Sequence, residues 1–414
     1  ANVKFVGAYS YLHKKYYIIR YDEKERVEQL LREHNVLVGY NIVDYDLPIL
    51  KNYCYVGEKI VIDLLQCYKV KSPVLKFKFV DFKLKTIAQT IGFEMKGDID
   101  YRVFQKNIWT DKELSEIYSY LKRDISLTKS LFEYLETQFH YFTEYIDERH
   151  VTNFRYLKIS IASLVYKVIC HQVGIPETYN DDAEEVEFEG GYVIPPTRKE
   201  TKGLVYYLDF ASLYPHADAM FGLFSHSCSC CTEEEKYRGR GIFKLKGAYC
   251  SKKMGAIEQL VMRFYKERQE CKRKKDKREF VFKIFLNTLY GITGNPRFGI
   301  FNLNSAQDCT YVGRETLKYA KHKFEEAGYE VIAGDTDSAF VWDKFGDEQR
   351  LLSVRDQIVS DVKGWSLWPQ ETFDMKIEDK IKAIWFFEGS KGDYTKKNYL
   401  YITDSNKIVI KGRP

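Results

Sequence analysis

Three aspartates and a set of spaced cations carry the strongest chemical signal in the sequence. Asp209 closes the apolar run Leu204 to Leu208. Asp335 and Asp337 lie in a tight Gly-Asp-Thr-Asp-Ser turn between Val331-Ile332-Ala333 and Ala339-Phe340-Val341. Aspartates at strand ends can converge on hard cations, and a pair of Mg²⁺ ions about 4 Å apart clamps the attacking and leaving oxygens of phosphoryl transfer. Aspartate in a turn is also ordinary turn chemistry, so Asp-Thr-Asp alone does not decide. The cations tip the balance. Arg268 and Lys272 stand i,i+4 on one expected helix, and Lys283 and Asn287 do so on the next, with Tyr290-Gly291 one turn further. Each pair projects from one helix face. Three cations and an amide facing one another make a triphosphate clamp without a Walker-type loop. A solvated charged face accounts for the Lys- and Arg-rich run 266–278. It does not account for Lys283 and Asn287 inside the apolar stretch Phe280 to Leu286.

The elements that must position these residues are legible. Leu204 to Leu208 reads as an apolar strand. Ile257 to Arg273 and Phe280 to Tyr290 read as two helices joined by a basic turn, and Glu330 to Trp342 as a hairpin. Upstream, Lys15 to Arg20 is β-rich, Glu25 to Glu33 is helical, and Val36 to Gly39 is a short buried strand. Asp111 to Phe139 is the clearest helix: Thr110-x-x-Glu113 forms a capping box, and Leu114, Ile117, Leu121, Ile125 and Thr128 follow helical spacing. The acidic run Asp181 to Glu189, followed by Gly190-Gly191 and Pro195-Pro196, is the best linker.

With these residues in place, the sequence resembles the family B DNA polymerases over essentially the whole chain. Motif A reads Asp209-Phe210-Ala211-Ser212-Leu213-Tyr214-Pro215, motif B runs from Lys283 through Asn287-Thr288 to Tyr290-Gly291, and motif C is Gly334-Asp335-Thr336-Asp337-Ser338. The resemblance implies an α+β, multidomain architecture: a ribonuclease-H-like 3′–5′ exonuclease domain, then a polymerase palm with helical fingers. The expected parts are 1–150 for the exonuclease domain, 151–200 for a linker and template-contact region, and 201–255 for the first part of the palm. The fingers follow over 256–291, and the rest of the palm with the start of a duplex-binding region over 292–414. A thumb should follow the strand-like Lys407 to Gly412, where only Arg413-Pro414 remain, so the thumb is expected to be missing and duplex grip poor.

The resemblance also implies roles. Asp209 and Asp337 are expected to hold two Mg²⁺ ions, for which Mn²⁺ can substitute, with the Phe210 carbonyl helping and Asp335 close by. Arg268, Lys272 and Lys283 are the expected triphosphate ligands, with Asn287 beside them and Ser212 and Leu213 lining the nucleotide site. Tyr214 is the expected steric gate against a 2′-hydroxyl, and Tyr290 the floor under the nascent base pair. Lys396, Lys397 and Tyr399 resemble the basic motif that tracks duplex without reading sequence. Phe188-Glu189-Gly190-Gly191 resembles the segment that touches template. Thr288, Ala333, Asn398 and Phe188 depart from the family's Ser, Tyr, Arg and Tyr. These departures bear on affinity and fidelity rather than on the reaction.

In the N-terminal half, Gly39 to Asp46 resembles the second exonuclease motif, and Tyr120 to Asp124 the third. Asp124 lies on the apolar side of its helix, where a carboxylate needs a partner, a metal or a path to water. The resemblance implies Asp46 and Asp124 as metal ligands, Tyr120 orienting water and Asn41 within the site. The first motif, an Asp-x-Glu pair, is absent, and Asp98-Ile99-Asp100 does not replace it. The proofreading site is therefore expected to be incomplete in this chain, through a segment cut off or a dead nuclease.

Composition limits the remaining classes. Lys plus Arg is 64 against 59 Asp plus Glu, a net of +5 too mild to prove a polyanion partner by itself. No apolar run reaches the roughly 18 residues of a membrane span, and nine scattered Cys fit a reducing setting better than a disulfide framework. The chain is expected to be an intracellular monomer, cytoplasmic in a prokaryotic or viral setting and nuclear in a eukaryotic one. The expected reaction is template-dependent extension of a nucleic-acid primer. Primer–template DNA and deoxynucleoside triphosphates are the expected ligands, and a sliding clamp or other replication factors are candidate partners. A non-catalytic, polymerase-like DNA-binding factor is the alternative. Cys228-Ser229-Cys230-Cys231 with Cys250 downstream could ligate zinc, but ordinary reduced cysteines are expected there.

Overall fold

A computed structural model describes residues 3–93, 99–388 and 394–412, with the side chains of 394–396 outside the described part. The chain divides into a unit spanning residues 1–172 and another spanning 173–414.

In the first unit, β1 (Phe5–Ser10) and β2 (Lys15–Arg20) form an antiparallel hairpin with Phe5 opposite Arg20. After α1 (Lys24–Arg32), β3 (Val36–Gly39) runs parallel to β4 (Ile60–Asp63), with α2 (Asp46–Tyr53) between them. β3 is half-buried rather than buried, since among the described residues only β4 pairs with it. Then come α3 (Leu64–Lys71), α4 (Leu84–Ile91) and α5 (Asp111–Phe139). The capping box of α5 forms as expected: the Thr110 hydroxyl accepts from the Glu113 N–H, and the Glu113 carboxylate accepts from the Thr110 N–H at 3.0 Å. Ile117, Leu127, Leu131, Leu135 and Phe139 are its buried residues. Each such apolar side chain removed from water contributes about 1.5–3 kcal/mol. The short helices α6 (Glu148–Thr152) and α7 (Arg155–Lys158) lead into α8 (Ile161–Val173).

The second unit is built on a seven-stranded sheet. Its strands are β5 (Val193–Ile194), β6 (Glu200–Phe210), β7 (Glu330–Asp335), β8 (Ser338–Trp342), β9 (Met375–Glu388), β10 (Tyr394–Thr403) and β11 (Ile408–Lys411). Their order is β11-β10-β9-β6-β8-β7-β5. The helices are α9 (Leu213–Phe221), α10 (Ala256–Lys274), α11 (Glu279–Thr293), α12 (Leu303–Glu326) and α13 (Glu348–Trp365). Strand β6 shows why Asp209 ends where it does. With a side-chain period of two, Tyr206, Leu208 and Phe210 enter one core with Met220, Phe221 and Leu317. Val205 and Tyr207 pack on the other face with Phe340, Phe386 and Tyr399. Asp209 shares the parity of Val205 and Tyr207, at the end of the strand.

Candidate active site

The β6–β8 register sets Asp209 opposite Ser338, the first residue after the β7–β8 turn. That turn has only Thr336 and Asp337 between the strands, so one residue must take a left-handed backbone; Thr336 does, with φ +55°. The Phe210 N–H then donates to the Asp337 carbonyl at 2.8 Å, tying the end of β6 to the turn. Burial pushes the Asp209 carboxyl up to about 7, and the charges of Asp337 and Glu378 add to it. Burial also pushes Asp337 up to about 6, with Asp335 adding. Asp335 differs: the Lys397 ammonium lies 3.1 Å from its carboxylate, and the Thr336 hydroxyl donates to it at 3.2 Å. Asp209 and Asp337 are therefore hard oxygen donors whose mutual repulsion a divalent cation would relieve, and they suit such an ion. The three aspartates do not close into a compact three-ligand group among the described residues.

Helix α9 begins directly beyond this strand end. Ser212 takes a left-handed backbone, with φ +55°, and turns the chain so that Leu213 is buried. The Tyr214 ring packs on Tyr290 with centroids 4.9 Å apart, and Phe188 meets Tyr290 edge-on at 6.2 Å. Gly191 runs so close that a Cβ there would lie 2.9 Å from both the Tyr214 hydroxyl and the Thr336 Oγ1. Two contacts hold this segment in place. The buried Arg314 guanidinium donates to the Glu189 and Gly190 carbonyls at 2.9 and 2.8 Å, and the Thr336 N–H donates to the Tyr192 carbonyl at 2.9 Å. Tyr399, on β10 of the same sheet, packs on Phe340. Lys396, named with it and Lys397, has its side chain outside the described residues, as do Asp98, Arg413 and Pro414.

Helices α10 and α11 pack on each other through Phe264, whose ring lies 5.1 Å from Phe282 and 4.7 Å from Phe285. Both helices also contact α9. Phe282, Ile284, Phe285 and Leu286 are buried while Lys283 and Asn287 are exposed, so the polar pair occupies the open face of an otherwise buried helix. Lys272 is exposed as well. Arg268 is tied to Glu279 by a 2.8 Å ion pair, so the clamp expected from four facing groups has one member neutralised by the neighbouring helix. His216, near Asp209 in sequence, is a packing residue: it is buried, bonded to the Ser212 carbonyl and the Thr372 hydroxyl at 3.0 Å each, and burial lowers its pKa to about 4.

In the first unit, Asn41 takes a left-handed backbone, and Asp63 accepts from the Asn41 and Val43 N–H groups at 2.9 and 3.2 Å. That buried carboxylate shapes the loop leading to Asp46, the first residue of α2. Burial raises the Asp46 carboxyl, with the Asp63 charge adding. On α5, burial raises Asp124 while its hydrogen bond with Tyr120 opposes the rise; the Tyr120 hydroxyl lies 2.9 Å from that of Tyr101. Asp46, Asp63 and Asp124 do not form a compact three-ligand group among the described residues. The group that does converge is Cys228, Cys230, Cys231 and Cys250, whose sulfurs all lie within 4.8 Å of one another. The four are free cysteines, and a chain reversal at residues 237–249 brings Cys250 to the Cys228–Cys231 turn.

Sequence reading missed Asp63, Arg314 and Glu378. Asp63 had a signal, an apolar strand ending in Asp immediately before a helix. Arg314, within an amphipathic helix, had none.

A profile described as DNA polymerase family B matches residues 258–385, and an RNase H superfamily profile matches residues 3–136. DNA polymerase 1 of Aeropyrum pernix is 28% identical over 243 residues, 55% of this chain and 23% of that protein. DNA polymerase II of Escherichia coli K12 is 24% identical over 382 residues, 80% of this chain and 46% of that one. DNA polymerase 2 of Aeropyrum pernix is 24% identical over 433 residues, 94% of this chain and 50% of that one. The chain thus spans half or less of the length of these curated relatives. The solved family B DNA polymerase from the hyperthermophilic archaeon Pyrobaculum calidifontis shares the fold with a TM-score of 0.59 at 17% identity, over 97% of this chain and 56% of that one. No helix among the described residues is long and apolar enough to cross a membrane.

Proposed function

We propose, from the premise that this chain is a relative of the family B DNA polymerases carrying an RNase H superfamily region, that it catalyses template-directed addition of deoxynucleotides to a primer 3′ end. In that reaction the primer 3′ oxygen bonds to the α-phosphorus, the bond to the leaving pyrophosphate breaks, and the 3′-hydroxyl proton is released. The observation that carries the reading is the Phe210–Asp337 backbone bond, which ties two carboxylates together at the end of the central strand. Asp209, Asp337 and the Phe210 carbonyl would hold Mg²⁺ or Mn²⁺. When bound, such an ion supplies Lewis-acid stabilisation of the charge that develops on the phosphate. The exposed Lys272, Lys283 and Asn287 bind the triphosphate, and Arg268 joins them by exchanging Glu279 for phosphate. Tyr214 on Tyr290 forms the wall that discriminates the sugar, and Lys397 and Gly190–Gly191 contact primer and template. For residues 3–136 we propose 3′–5′ hydrolysis of the primer end, with Asp46 and Asp124 as the metal-binding carboxylates and Tyr120 and Asn41 beside them. The burial-raised Asp124 under Tyr120 supports this.

The test is extension of a labelled DNA primer on a template with deoxy- or ribonucleotides, beside an Asp337→Ala control. Extension with deoxynucleotides alone, lost in the control, is the expected result. Primer–template binding without extension by the intact chain would replace this reading with that of a non-catalytic DNA-binding replication factor. For the nuclease reading, Asp124→Asn should abolish shortening of a mispaired primer while leaving extension intact.

A further inference from the structure

The segment between α9 and α10 gathers four of the nine cysteines. Tyr237 and Tyr249 pair as an antiparallel bridge, exchanging N–H···O bonds of 2.8 and 2.9 Å, and this reversal returns Cys250 to the Cys228–Cys231 turn. The Cys230 sulfur lies 3.3 Å from that of Cys250 and 3.9 Å from that of Cys231, and the Cys231 and Cys250 sulfurs are 3.6 Å apart. Cys228 completes the group within the same 4.8 Å limit. Four thiolates on one tetrahedral Zn²⁺, at about 2.3 Å each, stand about 3.8 Å apart. The cluster has that size. An iron–sulfur cubane, whose thiolates sit on separate irons, needs a wider arrangement.

The surroundings suit a closed thiolate site. Cys250 is buried, and its N–H donates to the Ser225 hydroxyl and carbonyl at 3.1 and 3.2 Å. Four thiolates on one dication carry a net charge of −2, and two cations stand close enough to feel the sulfurs. These are Lys236, bonded to Glu233 at 2.6 Å, and Lys252, bonded to Glu235 at 2.8 Å. We propose that Cys228, Cys230, Cys231 and Cys250 bind one structural Zn²⁺. Four protein ligands leave no open position for catalysis. The ion's effect is mechanical. It fastens a loop whose start is anchored to α10 by the Phe224 N–H donating to Glu258 at 2.9 Å, and so it fixes the entry to the helix that carries Arg268 and Lys272.

The test uses the full 414-residue chain, purified reduced and without chelator, with metal content read by plasma mass spectrometry. About one Zn²⁺ per chain is expected, lost in Cys250→Ser and in the Cys230→Ser/Cys231→Ser double variant and retained in Asp337→Asn. Should the serine variants fail to fold, Co²⁺ titration of the unaltered chain decides, since thiolate-to-cobalt charge-transfer absorption saturating at one equivalent is specific to such a site. Absence of both zinc and the cobalt band overturns the proposal. So does zinc that persists in the serine variants, or an intact mass showing the four thiols paired as two disulfides.

Discussion

Gly191→Ala and Gly190→Ala form a matched pair that tests whether the 188–192 segment shapes the nucleotide site. A Cβ at Gly190 would meet nothing within 4 Å, whereas one at Gly191 would stand 2.9 Å from the Tyr214 hydroxyl, 2.9 Å from the Thr336 Oγ1 and 3.0 Å from its Cγ2. Ordinary contact begins near 3.4 Å, so both neighbours must retreat by roughly half an ångström, and overpacking of this kind costs about 1–3 kcal/mol. Tyr214 has little room to yield. Its hydroxyl rides on a rigid ring, one face of that ring is covered by Tyr290, and its edge lies against Gly313, where an added Cβ would come within 2.8 Å. The strain must therefore reach the site wall. With about 1–2 kcal/mol lost on binding the transition state, kcat/KM for a correct deoxynucleotide should fall about 5- to 30-fold in Gly191→Ala. The preference for deoxy- over ribonucleotide should change with it. Gly190→Ala should stay within about 0.5 kcal/mol, roughly a factor of two. Single-nucleotide incorporation kinetics on a fixed primer–template, with Tm measured on the same preparations, provide the assay. Equal kcat/KM values for the two variants would refute the reasoning.

Three further outcomes are expected. Arg314→Met removes two charge-assisted bonds to carbonyls that water can re-solvate in part; it should cost about 1.5–3 kcal/mol, seen as a lower Tm, and raise KM for primer–template more than it lowers kcat. Tyr214→Val should open space for a 2′-hydroxyl and reduce discrimination against ribonucleotides about tenfold or more, read from paired incorporation assays; unchanged discrimination would remove Tyr214 from the gate role. Asp218, fully buried on α9, is pushed up to about 8 by burial, so the folded chain holds a proton that the unfolded chain releases near pH 4. Relative to Asp218→Asn, the stability of the native chain should therefore fall as pH rises from about 4 to about 8, by about 1.4 kcal/mol per unit. Urea unfolding of both proteins across that window checks the slope, and a constant difference between them would show that Asp218 is not held neutral.

The sequence disclosed those features whose causes are local. The α5 helix was legible because Thr110 and Glu113 cap it within one turn, and its apolar residues recur at helical spacing. The Asp335–Asp337 hairpin was legible because two apolar runs flank a two-residue turn. That Lys283 and Asn287 share one helix face followed from their i,i+4 spacing, whereas its exposure is set by the packing of α11. What stayed hidden depends on register and on chain reversal. The Lys397–Asp335 and Arg268–Glu279 pairs join residues on different elements, and the grip of Arg314 on the 189–190 carbonyls spans more than a hundred residues. Cys228, Cys230, Cys231 and Cys250 could be named as a group from the sequence, but the return of Cys250 to the other three is made by the Tyr237–Tyr249 bridge, which has no motif of its own.

The charges around the β6 end show how one site comes to favour a cation without excess negative charge elsewhere. Of the three aspartates, Asp335 has its own counter-ion in Lys397. Asp209 and Asp337 are left to repel each other in a half-buried position, with Glu378 adding to Asp209. A pair held in this way resists ionising in the bare protein and ionises fully when a divalent ion is available, so the sheet holds ready a site whose occupant must be a hard cation. The thiol cluster beyond α9 has the opposite character: soft donors with lysines nearby, suited to a soft-accepting ion and ill-suited to Mg²⁺. The unit spanning 173–414 thus presents two donor sets that select different metals by ligand type. Zinc bound at the cysteines would fix the frame without competing for the carboxylates, and this is why its removal should loosen the base of α10 before it alters the charge at Asp209 and Asp337.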